Sequence, residues 1–432
     1  MFIGKDGTNH IVTFVLISIL FFLWGTCNGM IDVMDKHFQD LLHLSKAQSA
    51  WIQFAHYSGY FLMALPASWL ASKFGYKSGI IIGLLLVSLG GFWFIPATSI
   101  AAFWSFLLGV CLISMGLTIL ETVANPYTTV LGPKEYAAFR INFAQSFNGV
   151  GWILGPIIGG AFFYSEHGAQ FAHQQLYIPY LVVAVVVIVL AVVFCFSHVP
   201  DLNTEDEYNL DDKDIVQTKK TIWAYPHFVG AVIAQFFYVA AQAGIFSFFI
   251  NYVIEEFPSI SKQLADNWLL NERVFIKEEN YFFNEKGATF LLGTIGFPLF
   301  LLGRAIGALI MKRLKSYKVL GSYALINTLI CGLIVLNLGW TSVIAVFLSF
   351  FFMSIMFPTI FALGIYGLGS KAKKASGFIV MAIMGGAIMP KLMGHLGDKY
   401  NMSVGFLMPM ICFSIISIYG FAWYRFSKQT YN

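Results

Sequence analysis

No residue from Ser78 to Leu120 carries a charge, and that run alone is more than twice the about 20 residues a helix needs to cross a bilayer. A second uncharged run extends from Gly7 to Ile31. Lipid offers backbone N–H and C=O groups no partner, so chains built from such runs must satisfy them inside their own helices. Composition agrees, with 58% hydrophobic and only 11% charged residues, against about 25% charged in ordinary soluble domains. The chain is therefore read as an all-α polytopic membrane protein. Hydropathy and breakers place twelve spans near residues 11–35, 48–72, 78–96, 100–123, 140–164, 177–197, 225–253, 286–311, 318–337, 342–366, 375–396 and 402–425. A polar stretch, Pro200 to Lys220, divides them into two sets of six. The expected organisation is an N-terminal six-helix bundle over 1–198, a cytoplasmic linker over 199–224 and a C-terminal six-helix bundle over 225–432.

Orientation follows from Lys and Arg in the loops, which favour the cytoplasmic side. With the N-terminus inside, 17 of the 26 basic residues fall on the inner side and 8 on the outer, with Arg304 left within a span. Arg140 is counted among the inner loop charges. Both termini are expected in the cytoplasm of a cell inner membrane, with the first span retained. The one sizeable outer loop, Glu255 to Lys286, mixes charges with aromatics. It reads as a partial lid or as an amphipathic surface helix, the second being favoured.

Several function classes fall away. The net charge of +4 has no clustered basic stripe, so there is no nucleic-acid footprint. The five cysteines, Cys27, Cys111, Cys195, Cys331 and Cys412, are isolated from one another in apolar segments and read as small core residues. No metal-ligand spacing, nucleophile–base pair or phosphate loop is found, so a membrane-embedded transferase is not the reading, and no cofactor is expected.

What is left is a set of polar residues inside spans. Glu121 and Asp32 each end a long uncharged run. A charge at mid-membrane costs roughly 2.5–3.5 kcal/mol on translocon-based scales, which makes such a carboxylate a functional candidate. The bland alternative for Glu121 is an interfacial charge at a helix end. Asn125 and Pro126 follow one turn later, where the helix is expected to weaken. Phe21, Trp24, Asn28, Asp32 and Asp35 recur at steps of three and four and share one face of the first span. Asp35, followed at once by Lys36 and His37, is read as an interfacial charge. Asn142, Gln145 and Asn148 in the fifth span and Gln235, Tyr238 and Gln242 in the seventh make two further stripes. Amides and phenols both donate and accept, which suits sugar hydroxyls. They also serve as interhelical glue at about 1 kcal/mol per contact, and both readings stay open.

Arg304, in GRAIG, is expected to meet a carboxylate or helix-end carbonyls. His56 reads either as a hydrogen-bonded bundle residue or as a proton relay. Gly151, Gly155 and Gly159 form a small-residue ridge for close helix approach. Pro358 and Pro390 are expected to interrupt the tenth and eleventh spans. Paired six-helix halves around a midplane site are the organisation of large secondary transporters.

Taken together the motifs resemble the fucose permease group of sugar:cation symporters in the major facilitator superfamily. The stretches that carry the resemblance are FFLWG with Asn28 and Asp32, LETVANPYTTVLGP from Leu120, FRINFAQSFN from Phe139, AQFFYVAAQ from Ala234, FPTIFALGI from Phe357 and SGFIVMAIMGG from Ser376. The resemblance implies that Asp32 and Glu121 are the carboxylates tied to proton coupling, Glu121 also to sugar binding, and that Gln145 and Asn148 contact the sugar. Asn28, Trp24, Tyr238 and Gln242 complete the expected substrate set. The implied activity is uptake of a monosaccharide such as fucose, glucose or galactose by proton symport, with sodium coupling as an alternative and a proton-driven exporter as a further one. A monomer in the bilayer is expected. The chain departs from the group at Ile31, where an Asn often precedes the Asp, in the GPIIGG run, and in the long 255–286 loop.

Overall fold

Helices form wherever the apolar runs lie, and their ends are set by identifiable breakers. The computed structural model describes residues 2, 8–132, 137–163, 177–197, 221–267, 273–311, 313–366, 368 and 372–428. The first span, α1 (Ile11–Leu42), is longer than its apolar run. It continues through Lys36, whose ammonium pairs with Asp40 one turn on, at 2.5 Å, a spacing that favours the helix. Trp51–Ile100 is a single helical run except at Gly75. There φ is 78° and ψ 173°, a conformation open to glycine, and it separates α2 (51–74) from α3 (76–100). Next come α4 (Phe103–Val130), α5 (Ala137–Phe163) and α6 (Ile178–Phe196). The second half comprises α7 (Pro226–Glu256), α8 (Glu285–Met311), α9 (Ser316–Val335), α10 (Trp340–Ile365), α11 (372–399) and α12 (402–428). Among the described residues, ten helical stretches are long and apolar enough to cross a membrane. The two further helices are α2 and α5, both carrying polar side chains.

The interruptions have local causes. α10 breaks between Met353 and Met356, and Pro358 sits in the first turn of the resumed helix, where its missing N–H costs nothing. The break expected at Pro390 lies instead at a 3-10 turn over Ala382–Met384, and the helix then runs through Pro390. A Cβ on Gly385, just after that turn, would stand 2.0 Å from the Phe236 carbonyl. Close approach to α7 therefore fixes the irregularity there. The weakening expected near Pro126 does not occur, since α4 is helical to Val130.

Among its described residues the 255–286 loop is not one amphipathic helix. It holds a short helix, Lys262–Asn267, and a hairpin of β1 (Val274–Lys277) on β2 (Asn280–Phe283). The two-residue turn, Glu278 and Glu279, has φ of 51° and 65°, the left-handed pair that a tight hairpin requires. Residues 268–272 and the linker from Pro200 to Lys220 lie outside the described residues.

Contacts gather the chain into two units, Met1–Ile31 with Ala55–Leu210, and Asp32–Phe54 with Asp211–Asn432. In the first, α1 and α5 touch backbone to backbone. A Cβ on Gly25 would lie 2.1 Å from the Asn148 carbonyl, and one on Gly151 would lie 2.3 Å from that of Phe22. Gly155 meets Gly29 in the same way, so Gly151 and Gly155 of the expected ridge serve close packing. α6 shows the lipid-facing pattern, with Val182, Val185, Val189 and Val192 exposed on one side. Cys195 near its end is exposed as well, not a core residue as expected. Lys77 donates to the carbonyls of Cys195 and Ser197 at 2.9 and 3.0 Å, meeting the negative end of that helix.

Candidate functional site

In the first unit the focus is a phenol that the stripes did not single out. The indole of Trp24 donates to the Tyr60 hydroxyl at 2.6 Å. Asn28, one turn along α1, lies near the same phenol with its Oδ1 buried and without a partner, and Glu121 on α4 is close enough to act on it electrostatically. Trp24, Asn28 and Glu121 are thus brought together by Tyr60 of α2. Glu121 is partly accessible and α4 continues past it to Val130, so it does not end the helix. A phenol that has accepted an indole hydrogen still has its own to give. The set offers an aromatic face, a hydroxyl, an amide and a carboxylate in one place.

His56 lies beside these rings, 5.1 Å from Tyr60 between centroids, with its Nδ1 2.6 Å from the Ser114 hydroxyl. That hydroxyl also donates to the Val110 carbonyl at 2.8 Å. A hydroxyl has one hydrogen to give, so the Nδ1 side of His56 is the donor. This is the hydrogen-bonded bundle reading. On α5, Asn148 is buried and donates to the Phe21 carbonyl at 3.3 Å, which spends part of its amide on α1. Gln145 is half-buried. The side chains of Asn125, Pro126 and Asn142 lie outside those described.

Arg140 is not a loop charge. It is fully buried, with Nε 2.9 Å from the Thr128 carbonyl and Nη2 3.1 Å from that of Gly132. The guanidinium caps the end of α4, where backbone carbonyls have no helical donor. Sequence reasoning counts it with the loop charges because it sits just after a break.

In the second unit, Asp32 and Asp35 share one amide. The Nε2 of Gln53 donates to Asp32 at 3.3 Å and to Asp35 at 3.2 Å. Asp35 has no exposed surface and Asp32 is 4% exposed, so the interfacial reading of Asp35 is overturned. The signal for this was present in the stripe itself, where Asp35 continues the face of Asp32; the adjacent Lys36 masked it. Further along α1, Asn251 donates to Gln39 at 2.6 Å while Gln39 donates to Ser49 at 2.9 Å.

On α7, Gln235 and Tyr238 have no exposed surface, and the Tyr238 hydroxyl and both amide atoms of Gln235 find no protein partner. Buried polar groups of this kind ordinarily find partners. Arg304 of α8 faces Tyr238 electrostatically, stacks 5.0 Å from the Phe300 ring and donates to the Ser354 carbonyl at 3.3 Å. That carbonyl is at the α10 break, so the expected helix-end partner is the one found. Gln242 is half-buried. Among the described residues no group of three or more His, Cys, Asp or Glu could hold a metal ion.

The sequence profile of the Major Facilitator Superfamily matches residues 13–389. The chain is 34% identical to the L-fucose-proton symporter of Escherichia coli, over 99% of this chain and 96% of that one. It is 33% identical to a glucose/galactose transporter of Brucella abortus, over 94% and 92%. The crystal structure of the Escherichia coli fucose:proton symporter superimposes with a TM-score of 0.65 and 32% identity, covering 96% of this chain and 99% of that one. A twelve-helix fold, a profile spanning most of the chain and full-length relatives agree: the chain belongs to the Major Facilitator Superfamily, a family of transporters.

Proposed function

We propose that this protein takes up a monosaccharide together with protons, by exposing one site alternately to the two sides of the membrane. The observation that carries the reading is the set formed by Trp24, Tyr60, Asn28 and Glu121. An indole face packs against the C–H side of a sugar ring, while the carboxylate accepts two hydroxyl hydrogens in charge-assisted bonds. Gln145 and Asn148 of α5 add amides to the same unit, and Tyr238 and Gln242 of α7 supply a second set. The buried and unsatisfied Tyr238 and Gln235 are groups that a polyhydroxyl ligand would satisfy. Asp32 is the proton carrier and Glu121 couples occupancy of the sugar site to it.

The thermodynamics suit uphill uptake. Each proton crossing 100 mV supplies about 2.3 kcal/mol, enough for about fiftyfold accumulation of a neutral sugar at one proton each. Curated relatives include fucose-proton symporters and glucose/galactose transporters; the former support a proton over sodium as the coupling ion. The protein is read as a monomer of the inner membrane with both termini in the cytoplasm.

The test is a thermal-shift panel of L-fucose, D-glucose, D-galactose and N-acetyl-D-glucosamine on the purified protein, followed by uptake of the stabilising sugar into proteoliposomes. Accumulation under an imposed proton gradient with potassium in place of sodium is expected. Accumulation that follows sodium at fixed pH, or stabilisation by none of the sugars, would overturn the reading.

A further inference from the structure

The second carboxylate of α1 has no part in that reading, and its surroundings are unusual. Asp35 is completely buried and Asp32 nearly so. Neither forms an ion pair with a Lys, Arg or His among the described residues. On α1 itself the nearest basic side chain in sequence, Lys36, is taken by Asp40 at 2.5 Å and lies 3.9 Å from Glu285; His37 follows it. From α2 the group that faces the carboxylates is Gln53, and from α7 it is Ser247, beside Asp35. No cation comes from either element.

Counting donors and acceptors sharpens the point. The two hydrogens of the Gln53 amide are both used, one on Asp32 and one on Asp35. Asp32 Oδ2, Asp35 Oδ1 and Gln53 Oε1 are then buried acceptors without a partner, and the Ser247 hydroxyl is equally without a well-placed one. Three bare acceptors face one spare donor. Leaving a buried acceptor unmade is costly, and two adjacent carboxylate charges without a cation are costlier still. A proton on either aspartate removes one charge and turns an empty acceptor into a donor for its neighbour. Membrane-buried carboxylates without a counter-ion are otherwise rare.

We propose that Asp32 and Asp35 form one proton-binding site, in which a single proton is shared between the two carboxylates and Gln53 holds them in register. The ligand is the proton, and Asp35 sets how tightly Asp32 holds it. The proposal deepens the symport reading and rests on it for its role in transport, but not for its chemistry. Two carboxylates that share a proton titrate as a pair, in two separated steps that belong to neither alone.

The experiment is an infrared pH titration of the protonated carboxyl band in the purified protein, without sugar, in sodium-free buffer. An E121Q background removes the α4 carboxyl from the band, and in it the pair is expected to show two steps. D35N removes the like charge, so one step should remain, displaced to more acid pH by at least about tenfold in proton concentration, one unit on the titration scale. Q53M keeps the length of the side chain and removes the donor that favours the charged forms, so it should displace the upper step towards alkaline pH. D35E should restore two steps. Displacements of opposite sign are not what a merely structural role would give, and monodisperse elution establishes that each variant is folded. A titration unaltered in D35N, or a shift of the same sign in Q53M, would overturn the shared proton. So would sodium removing the protonated band at fixed pH, which would make the four oxygens a cation site. If the pair titrates as described while wild-type proteoliposomes fail proton-driven uptake of every panel sugar, the symport reading fails and the pair stands.

Discussion

The ammonium of Lys46 lies 2.9 Å from a carboxylate oxygen of Glu255, on a segment whose backbone is fixed by a different acid. The N–H groups of Lys46 and Ala47 each donate to Asp398 of α11 at 2.9 Å, so a side chain distant in sequence caps the short helix Lys46–Ser49. The two acids should differ in worth. Glu255 is one-third exposed, and an exposed ion pair contributes about 0.2–1 kcal/mol. A cap made of two charge-assisted bonds is worth about 1–2 kcal/mol. D398A should therefore lower the thermal unfolding midpoint more than E255Q does, and the reverse ranking would sink the account.

Tyr60→Phe is expected to do more than delete a hydroxyl. It leaves the Trp24 indole N–H, now 2.6 Å from its acceptor, without a partner, at a cost of about 1–3 kcal/mol. Sugar affinity should fall as the indole reorients, while Y57F should have less effect. Equal effects of the two on calorimetric affinity would remove Tyr60 from the site.

Glu121→Gln keeps the shape of the side chain and loses its charge. If the carboxylate accepts sugar hydroxyls, affinity falls about tenfold or more, equivalent to about 1.4 kcal/mol. Unchanged affinity by calorimetry would make Glu121 a structural residue.

Asp32→Asn imitates a permanently protonated carrier. Exchange of labelled for unlabelled sugar across vesicles should persist, while uphill uptake and sugar-induced alkalinisation of the medium are lost. Accumulation at the wild-type level under an imposed proton gradient would show that coupling lies elsewhere.

Topology is open to a direct check. In a background without native cysteines, an impermeant thiol reagent should label Asn280→Cys, in the hairpin, in intact cells, and should miss Lys315→Cys, in the exposed turn before α9. Labelling in the opposite sense would invert the proposed orientation.

Much of this was legible in the residues, and the failures share a cause. Apolar runs placed the helices, the stripe put Trp24 and Asn28 on one face of α1, and the cost of a bare guanidinium in lipid called for a carboxylate or a helix-end carbonyl beside Arg304, of which the structure shows the carbonyl. Periodicity gives the face of a helix but not its depth. Asp35 was misplaced because Lys36 follows it, yet that lysine is neutralised within its own helix by Asp40. Arg140 was misplaced for the same reason, since a charge beside a break can turn inward to cap it. Tyr60 was passed over because its partners come from α1 and α4, and no pattern along α2 announces contacts made across helices. The hairpin turn of two glutamates defies the usual asparagine and glycine preference.

On the proposed reading of the site, the seam between α1 and α5 bears on which sugars can be told apart. With glycines at 25, 29, 151 and 155, the two helices approach closely, largely backbone on backbone, with the Pro156 and Asn148 side chains packed beside them. Trp24 and Asn28 on one helix and Gln145 and Asn148 on the other are therefore mounted on a single rigid plank. On the proposed sugar site its spacing would work as a ruler: a ligand whose hydroxyls fall off its marks would leave polar groups unsatisfied. Directed changes of specificity should accordingly be sought in the side chains that the plank displays, because replacements within the seam would warp the ruler itself.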